Sequence, residues 1–197
     1  MIIGDEETGK TNLCNRMGGN AFCPVYDHTI GVEFSTCFTK VKHDIVKCQL
    51  WDTSGRKVFA PVLTNYYKGV SGIIIVYDVS NETSFKRIGY WLDQIKRNKE
   101  QDVHVSIMLV GNKTDKVRVI DKETAQKYAS DNNLLYCETT SKYEENNVHT
   151  IKEQLSAHIL NNYDPICGHR GVQGPDNIIL LNENDEGNYY NDCCCCS

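Results

Sequence analysis

Long apolar runs are missing from this chain. No stretch approaches the ~20 residues that a membrane-crossing helix needs, and no apolar leader region follows Met1. Clustered Lys and Arg are missing too, which leaves no basic footprint for nucleic acid. Cys14, Cys23, Cys37, Cys48, Cys137 and Cys167 make no C-x-x-C pair and read as reduced cytosolic thiols. What remains is 197 residues, 40 % hydrophobic and 24 % charged, enough for one well-buried domain and a tail. The net charge of −5 is one-sided. From Asp164 onward Asp164, Asp176, Glu183, Asp185, Glu186 and Asp192 oppose Arg170 alone, so residues 1–163 balance at zero.

The strongest local pattern is Gly4-Asp5-Glu6-Glu7-Thr8-Gly9-Lys10-Thr11. Its G-x-x-x-x-G-K-[ST] spacing makes a loop whose backbone N–H groups turn inward on phosphate oxygens. Gly4 and Gly9 allow approaches that a Cβ would obstruct. Lys10 reaches the outer phosphates, the Thr11 hydroxyl suits Mg²⁺, and the next helix aims its positive end at the same anion. Glu6 and Glu7 are unusual there, because they bring carboxylates to an anion's site.

A βα rhythm follows. Met1 to Ile3 is the end of a strand, and Lys10 to Met17 predicts a helix stopped by Gly18-Gly19. Val32, Phe34, Thr36 and Phe38 share one side of a strand that turns near His43-Asp44 into a second, Ile45 to Trp51. Gly72 to Asp78 and Val105 to Gly111 are near-continuous apolar runs, as in parallel strands covered on both faces. Phe85, Ile88, Trp91, Leu92 and Ile95 fall at helical spacing and read as core. Asp121 to Asn132 predicts a further helix, Leu134 to Glu138 a last strand, and Val148, Ile151, Leu155 and Ile159 a closing helix. This is an α/β chain: an open, mostly parallel sheet of six strands with helices on both faces, the first strand truncated. Its ligand loops belong at the strands' carboxyl ends.

Three more motifs sit at such ends. Asp52-Thr53-Ser54-Gly55 offers a carboxylate for a metal's water shell and a glycine N–H for a γ-phosphate. Asn112-Lys113-Thr114-Asp115 offers a carboxylate that accepts from guanine N1–H and its 2-amino group, which adenine does not supply. Thr140-Ser141-Lys142 follows the last strand. All of them in this order are far more specific than a phosphate loop alone.

With these motifs, Ile30-Gly31-Val32-Glu33-Phe34, Lys47 to Thr53, Tyr66-Tyr67-Lys68-Gly69 and Ile75-Val76-Tyr77-Asp78 make the chain resemble a small GTPase of the Ras superfamily, and within it a Rab, from Met1 to about Tyr163. The resemblance implies a P-loop small G domain over residues 1–163 that binds GTP or GDP with Mg²⁺. It places Phe22 against the guanine ring, Ser141 at guanine O6 with Thr140 and Lys142 beside it, and Thr29 with Thr11 and Asp52 at the metal. Phe34, Trp51 and Tyr66, with Ile30 to Glu33, match the surface that Rabs offer to effectors. It also implies an exchange factor, a GTPase-activating protein and an escort or GDI-like prenyl chaperone as partners. The first strand is central in that fold, so the short start at Met1 leads us to expect translation from upstream.

The departures bear on hydrolysis. Arg56 stands beside Gly55 where the family usually has the glutamine that orients the attacking water, and Arg accepts no hydrogen bond. Glu6 replaces a Gly or Ser, and Lys57 a Glu. Slow intrinsic hydrolysis is expected, with Arg56 pairing to Glu6.

Residues 164–192 read as a flexible acidic tail with one apolar patch, Ile178 to Leu181, and 193–197 as a prenylation signal. Cys193, Cys194, Cys195 and Cys196 resemble Rab double-cysteine endings. The tail has no polybasic patch, so two prenyl chains are needed for stable anchoring. The implied location is the cytoplasmic face of an intracellular membrane, with a soluble cytosolic pool. The leading expectation is a membrane-anchored switch in vesicle traffic. Its rivals are a GTP-locked mimic that sequesters effectors and, more distantly, another P-loop enzyme such as a kinase.

Overall fold

A computed structural model of the chain describes residues 1–25, 27–101, 103–143 and 147–162. The expectations for 164–192, for Ile178 to Leu181 and for Cys193 to Cys196 lie outside these residues.

Among the described residues one sheet is built from β1 (Ile2–Ile3), β2 (Val32–Val41), β3 (Asp44–Thr53), β4 (Gly72–Asp78), β5 (Ser106–Asn112) and β6 (Leu135–Glu138), in the order β2-β3-β1-β4-β5-β6. Only β2 and β3 pair antiparallel, Val32 opposite Thr53 and Val41 opposite Asp44. The rest are parallel. β1 is short and central. Ile2 aligns with Asp52 on one side and Ile74 on the other, and the Met1 carbonyl accepts from Ile74 N.

Alternation along the strands distributes two cores. Ile3, Ile73, Ile75, Tyr77 and Leu109 point to one face and meet Ile88, Trp91, Leu92 and Ile95 of α4 (Ile88–Asn98) and Ala125 and Ala129 of α5 (Lys122–Asp131). Ile2, Ile74, Val76, Met108 and Val110 point to the other face and meet Leu13 and Met17 of α1 (Lys10–Met17) and Val148, Ile151 and Leu155 of α6 (Val148–Asn161). Helices on both faces explain why β4 is buried from Ile73 to Asp78, each Ile contributing roughly 1.5–3 kcal/mol on leaving water.

One reading changes. The stripe from Phe85 to Ile95 is two helices, α3 (Glu82–Lys86) and α4, broken at Arg87. The Asn81 side chain fixes the start of α3 by accepting from the N–H groups of Thr83 and Ser84. On β2 the buried side is the odd one, Cys37, Thr39 and Val41, while Phe34 is 52 % exposed. The segment after β3 winds through a 3-10 turn (Lys57–Phe59), the short α2 (Ala60–Leu63) and a second 3-10 turn (Thr64–Tyr67).

Candidate guanine-nucleotide site

The sheet's carboxyl edge brings the motif loops together. β1 runs into the phosphate loop, β3 into Ser54 and Gly55, β5 into Lys113 to Asp115, and β6 into Thr140 to Lys142. They enclose a groove of about 820 Å³, also lined by Phe22, Thr29, Glu6, Glu7 and Arg56. The volume lies within the range of ligand pockets, about 300–1,000 Å³. Gly9 caps α1 with φ 87°, a left-handed turn that aims the first helical N–H groups into the groove. The phosphate loop and the Gly55 turn touch so closely that a Cβ on Gly55 would lie 2.2 Å from Glu6 N.

Lys10 is buried, and its Nζ donates to the Asp5 carbonyl at 2.7 Å. Burial lowers its pKa to about 8, against the pull of Asp52, Asp5 and Glu6. Behind it the Thr11 hydroxyl donates to Asp52 Oδ2 at 2.6 Å and lies 3.0 Å from Thr29 Oγ1, which reaches the same oxygen at 3.3 Å. Asp52 is 2 % exposed, and its Oδ1 has no hydrogen-bond partner. Burial pushes its carboxyl above the ordinary range, against the Thr11 hydrogen bond and the Lys10 charge. An orphaned carboxylate oxygen beside two hydroxyls is an all-oxygen donor set, the kind that Mg²⁺ prefers. The residues present fit that ion.

The base end is held by polar cross-links. Asn112 Nδ2 donates to the Thr8 carbonyl at 2.9 Å, and its Oδ1 accepts from Ser141 Oγ. Lys113 lies with φ 65° and donates to the Glu7 carbonyl while pairing with Asp78 Oδ2 at 2.8 Å. Asp115 is exposed at the rim and accepts from Thr140 Oγ1. Arg56 and Glu6 face each other across the outer end, 4.0 Å apart.

Two supports were invisible to motif reading. Asp78 ends β4 and holds Lys113; burial pushes its carboxyl up, but Lys113 and Ser80 outweigh that and keep it low. Asp5 Oδ1 accepts from Trp91 Nε1 at 2.9 Å and pairs with Arg87 Nε at 3.1 Å. Trp91 is therefore both core and tether. No sequence signal marks a contact 86 residues apart.

Outside the groove Phe34, Trp51 and Tyr66 form a run of tilted rings, with centroids 4.8 and 5.4 Å apart. Ile30, Val58 and Val62 are exposed nearby. Among the described residues no helix is long and apolar enough to cross a membrane.

The Ras family profile matches residues 1–161. The chain is 38 % identical over 164 residues to the Ras-related protein RABA5e of Arabidopsis thaliana, covering 82 % of this chain and 74 % of that one. It is 39 % identical over 143 residues to the GTP-binding protein ypt3 of Schizosaccharomyces pombe, covering 72 % and 66 %. To Ras-related protein Rab-11B of Dictyostelium discoideum it is 38 % identical over 157 residues, covering 79 % and 70 %.

Proposed function

Because the chain belongs to the Ras family of small GTPases, on its Rab branch, we propose that it is a lipid-anchored switch of vesicle traffic. In this reading its Mg²⁺–nucleotide site is the on/off setting and its own hydrolysis is slow. The observation that carries the reading is the meeting of the Thr11 and Thr29 hydroxyls at Asp52 Oδ2, with the buried Oδ1 of the same carboxyl left unpartnered. Thr11, Thr29 and Asp52 would hold the Mg²⁺, which when bound would supply positive charge to offset that of the phosphates.

Each residue has a role in this scheme. Lys10 and the N–H groups of the phosphate loop hold the phosphates. Thr11 and Thr29 orient toward the metal, and Asp52 supplies the buried negative charge. Asp115 accepts from the guanine edge, Phe22 covers the ring, and Asn112, Lys113, Thr140, Ser141 and Lys142 fix the loops around it. Thr29 belongs to the loop leading into β2, so a γ-phosphate that orders Thr29 also orders Ile30 to Phe34 and the aromatic surface beyond, which is where effectors dock.

Arg56 and Glu6 favour a second reading, a Rab that stays in the GTP form and holds effectors without cycling. No water-orienting amide stands after Gly55, and Glu6 adds like charge near the phosphates. Identifying the co-purified nucleotide and following phosphate release with and without a Rab-activating domain tests both. Stimulated release supports the cycling switch. Retained GTP without release supports the held form. Failure of folded protein with Mg²⁺ to bind GDP or GTP overturns both.

A further inference from the structure

The face of the sheet away from the effector aromatics carries a chemistry the switch does not use. Cys37 on β2 and Cys48 on β3 are directly opposed in the antiparallel register. Directly opposed residues project to one face, with Cβ atoms roughly 4.5–5.5 Å apart and Cα atoms about 4.5–5.5 Å apart. A disulfide spans about 4.4–6.8 Å between Cα atoms and about 3.5–4.5 Å between Cβ atoms, so the Cα separation of an opposed pair suits a bridge and the Cβ atoms need only draw slightly closer. Both side chains turn into the core beneath α1 and α6. Cys37 is buried, whereas Cys48 is partly exposed.

The surroundings make the two thiols unequal. Cys48 Sγ lies 3.5 Å from Ser156 Oγ on α6. One turn back on the same helix, the buried Lys152 donates from Nζ to the carbonyls of Met17 and of Phe38, the neighbour of Cys37. The hydrogen bond from Cys37, then Ser156 and Lys152, favour the Cys48 thiolate over burial. The same hydrogen bond and burial hold Cys37 protonated. A partly exposed thiolate beside a buried partner thiol is the arrangement of an attacking and a resolving cysteine. Among the described residues no group of three or more His, Cys, Asp and Glu is arranged to hold a metal ion.

We propose that Cys37 and Cys48 are a peroxide-oxidisable dithiol that closes a cross-strand disulfide between β2 and β3. The Cys48 thiolate attacks hydrogen peroxide: an S–O bond forms, the O–O bond breaks, and the departing hydroxide takes a proton to become water. Cys48 is then a sulfenic acid. Cys37 Sγ attacks that sulfur, so the S–S bond forms, the S–O bond breaks, and a second water leaves with the Cys37 proton. Two thiols lose two electrons and one peroxide becomes two waters. The bridge would pin the hairpin that joins Thr29 to the Asp52–Gly55 turn.

The test uses the full chain, folded with GDP and Mg²⁺ and exposed to equimolar hydrogen peroxide. Free thiols are then alkylated and the protein is mapped by tryptic mass spectrometry without reduction. The expected product links the peptide of residues 48–56 to that of residues 17–40 through Cys37 and not Cys23. It should disappear in Cys37→Ser and Cys48→Ser and persist in Cys14→Ser. In Cys37→Ser, a sulfenic acid should remain on Cys48 and be trapped by dimedone. Full alkylation of Cys37 and Cys48 after oxidation, or a link made only by Cys23 or other cysteines, overturns the proposal. Mapping of the unsubstituted protein decides it even where a variant does not fold.

Discussion

Arg56 reaches toward Glu6 across the outer end of the phosphate loop, its Nε 4.0 Å from the Glu6 Oε2. Both side chains are about half exposed, so the pair contributes little to stability. Its effect is on chemistry. Arg56→Gln restores an amide that can orient water, and Glu6→Ser removes a carboxylate from beside the phosphates. Single-turnover hydrolysis should rise by roughly one to two orders of magnitude in Arg56→Gln and by less in Glu6→Ser, with melting temperatures nearly unchanged. Rates equal to the parent in both variants would show that neither residue limits hydrolysis.

Asp115 lies at the rim of the groove with Thr140 donating to it. Asp115→Asn keeps the shape but loses the charged acceptor for two guanine hydrogen bonds. At roughly 1.5 kcal/mol for each hydrogen bond to a charged group, GDP affinity should fall about 100-fold. Titration with GDP and ADP checks this: GDP binding should weaken while ADP binding does not, narrowing the preference from one side.

Sequence disclosed the parts whose chemistry is local. Gly9, Lys10 and Thr11 are fixed by their spacing, and Ile73 to Val76 announce a strand covered on both faces. Fold class, strand order of the motifs and the groove's lining followed. The winding from Lys57 to Tyr67 was not legible, because short 3-10 turns carry no periodicity. The break at Arg87 was hidden because Phe85 and Ile88 keep helical spacing across it. Asp5 gave no hint of Trp91, since a side-chain contact between distant segments exists only once the sheet has assembled.

That contact is testable. Trp91→Phe retains most of the buried ring area but leaves Asp5 with Arg87 alone. Losing one hydrogen bond to a carboxylate costs about 1.5–3 kcal/mol, which at this chain length corresponds to roughly 3–12 °C in melting temperature. GDP release should also quicken, because the phosphate loop loses its tether to α4. Faster release in Arg87→Ala as well, with a smaller thermal loss, would separate tethering from core packing. A fall in melting temperature without a change in release rate would reduce the contact to packing.

Lys10 sets a pH dependence. In the free protein burial holds its pKa at about 8. Phosphates pair with the ammonium and raise it again, so the nucleotide binds the protonated form. Binding at pH above about 8 therefore takes up a proton, and affinity falls as pH rises through that value. Calorimetry of GDP binding in two buffers of different ionisation enthalpy should show uptake of about half a proton at pH near 8 and almost none at pH near 6.5. Proton release at pH 8 would reverse the assignment.

Asp52 holds the opposite charge at the same site, buried and with one oxygen unpartnered. Its carboxyl is raised by burial, so the folded state binds that proton more tightly than the unfolded chain does. Stability from this group is present at acid pH and lost as pH rises through the folded value; above that value the free protein carries a buried anion that the Thr11 hydrogen bond and the Lys10 charge offset only in part. Asp52→Asn removes the anion and keeps an oxygen for the Thr11 and Thr29 hydroxyls. Without nucleotide and Mg²⁺, at a pH above that folded value, the variant should melt a few degrees higher, about 2–4 °C for each kcal/mol recovered. With GDP and Mg²⁺ the order should invert, because the parent gains a cation that the amide holds poorly, and EDTA should lower the parent's melting temperature while leaving the variant's unchanged. A variant that is less stable in both conditions would mean that the Asp52 charge is already balanced by Lys10 and that its free oxygen is no sign of a metal.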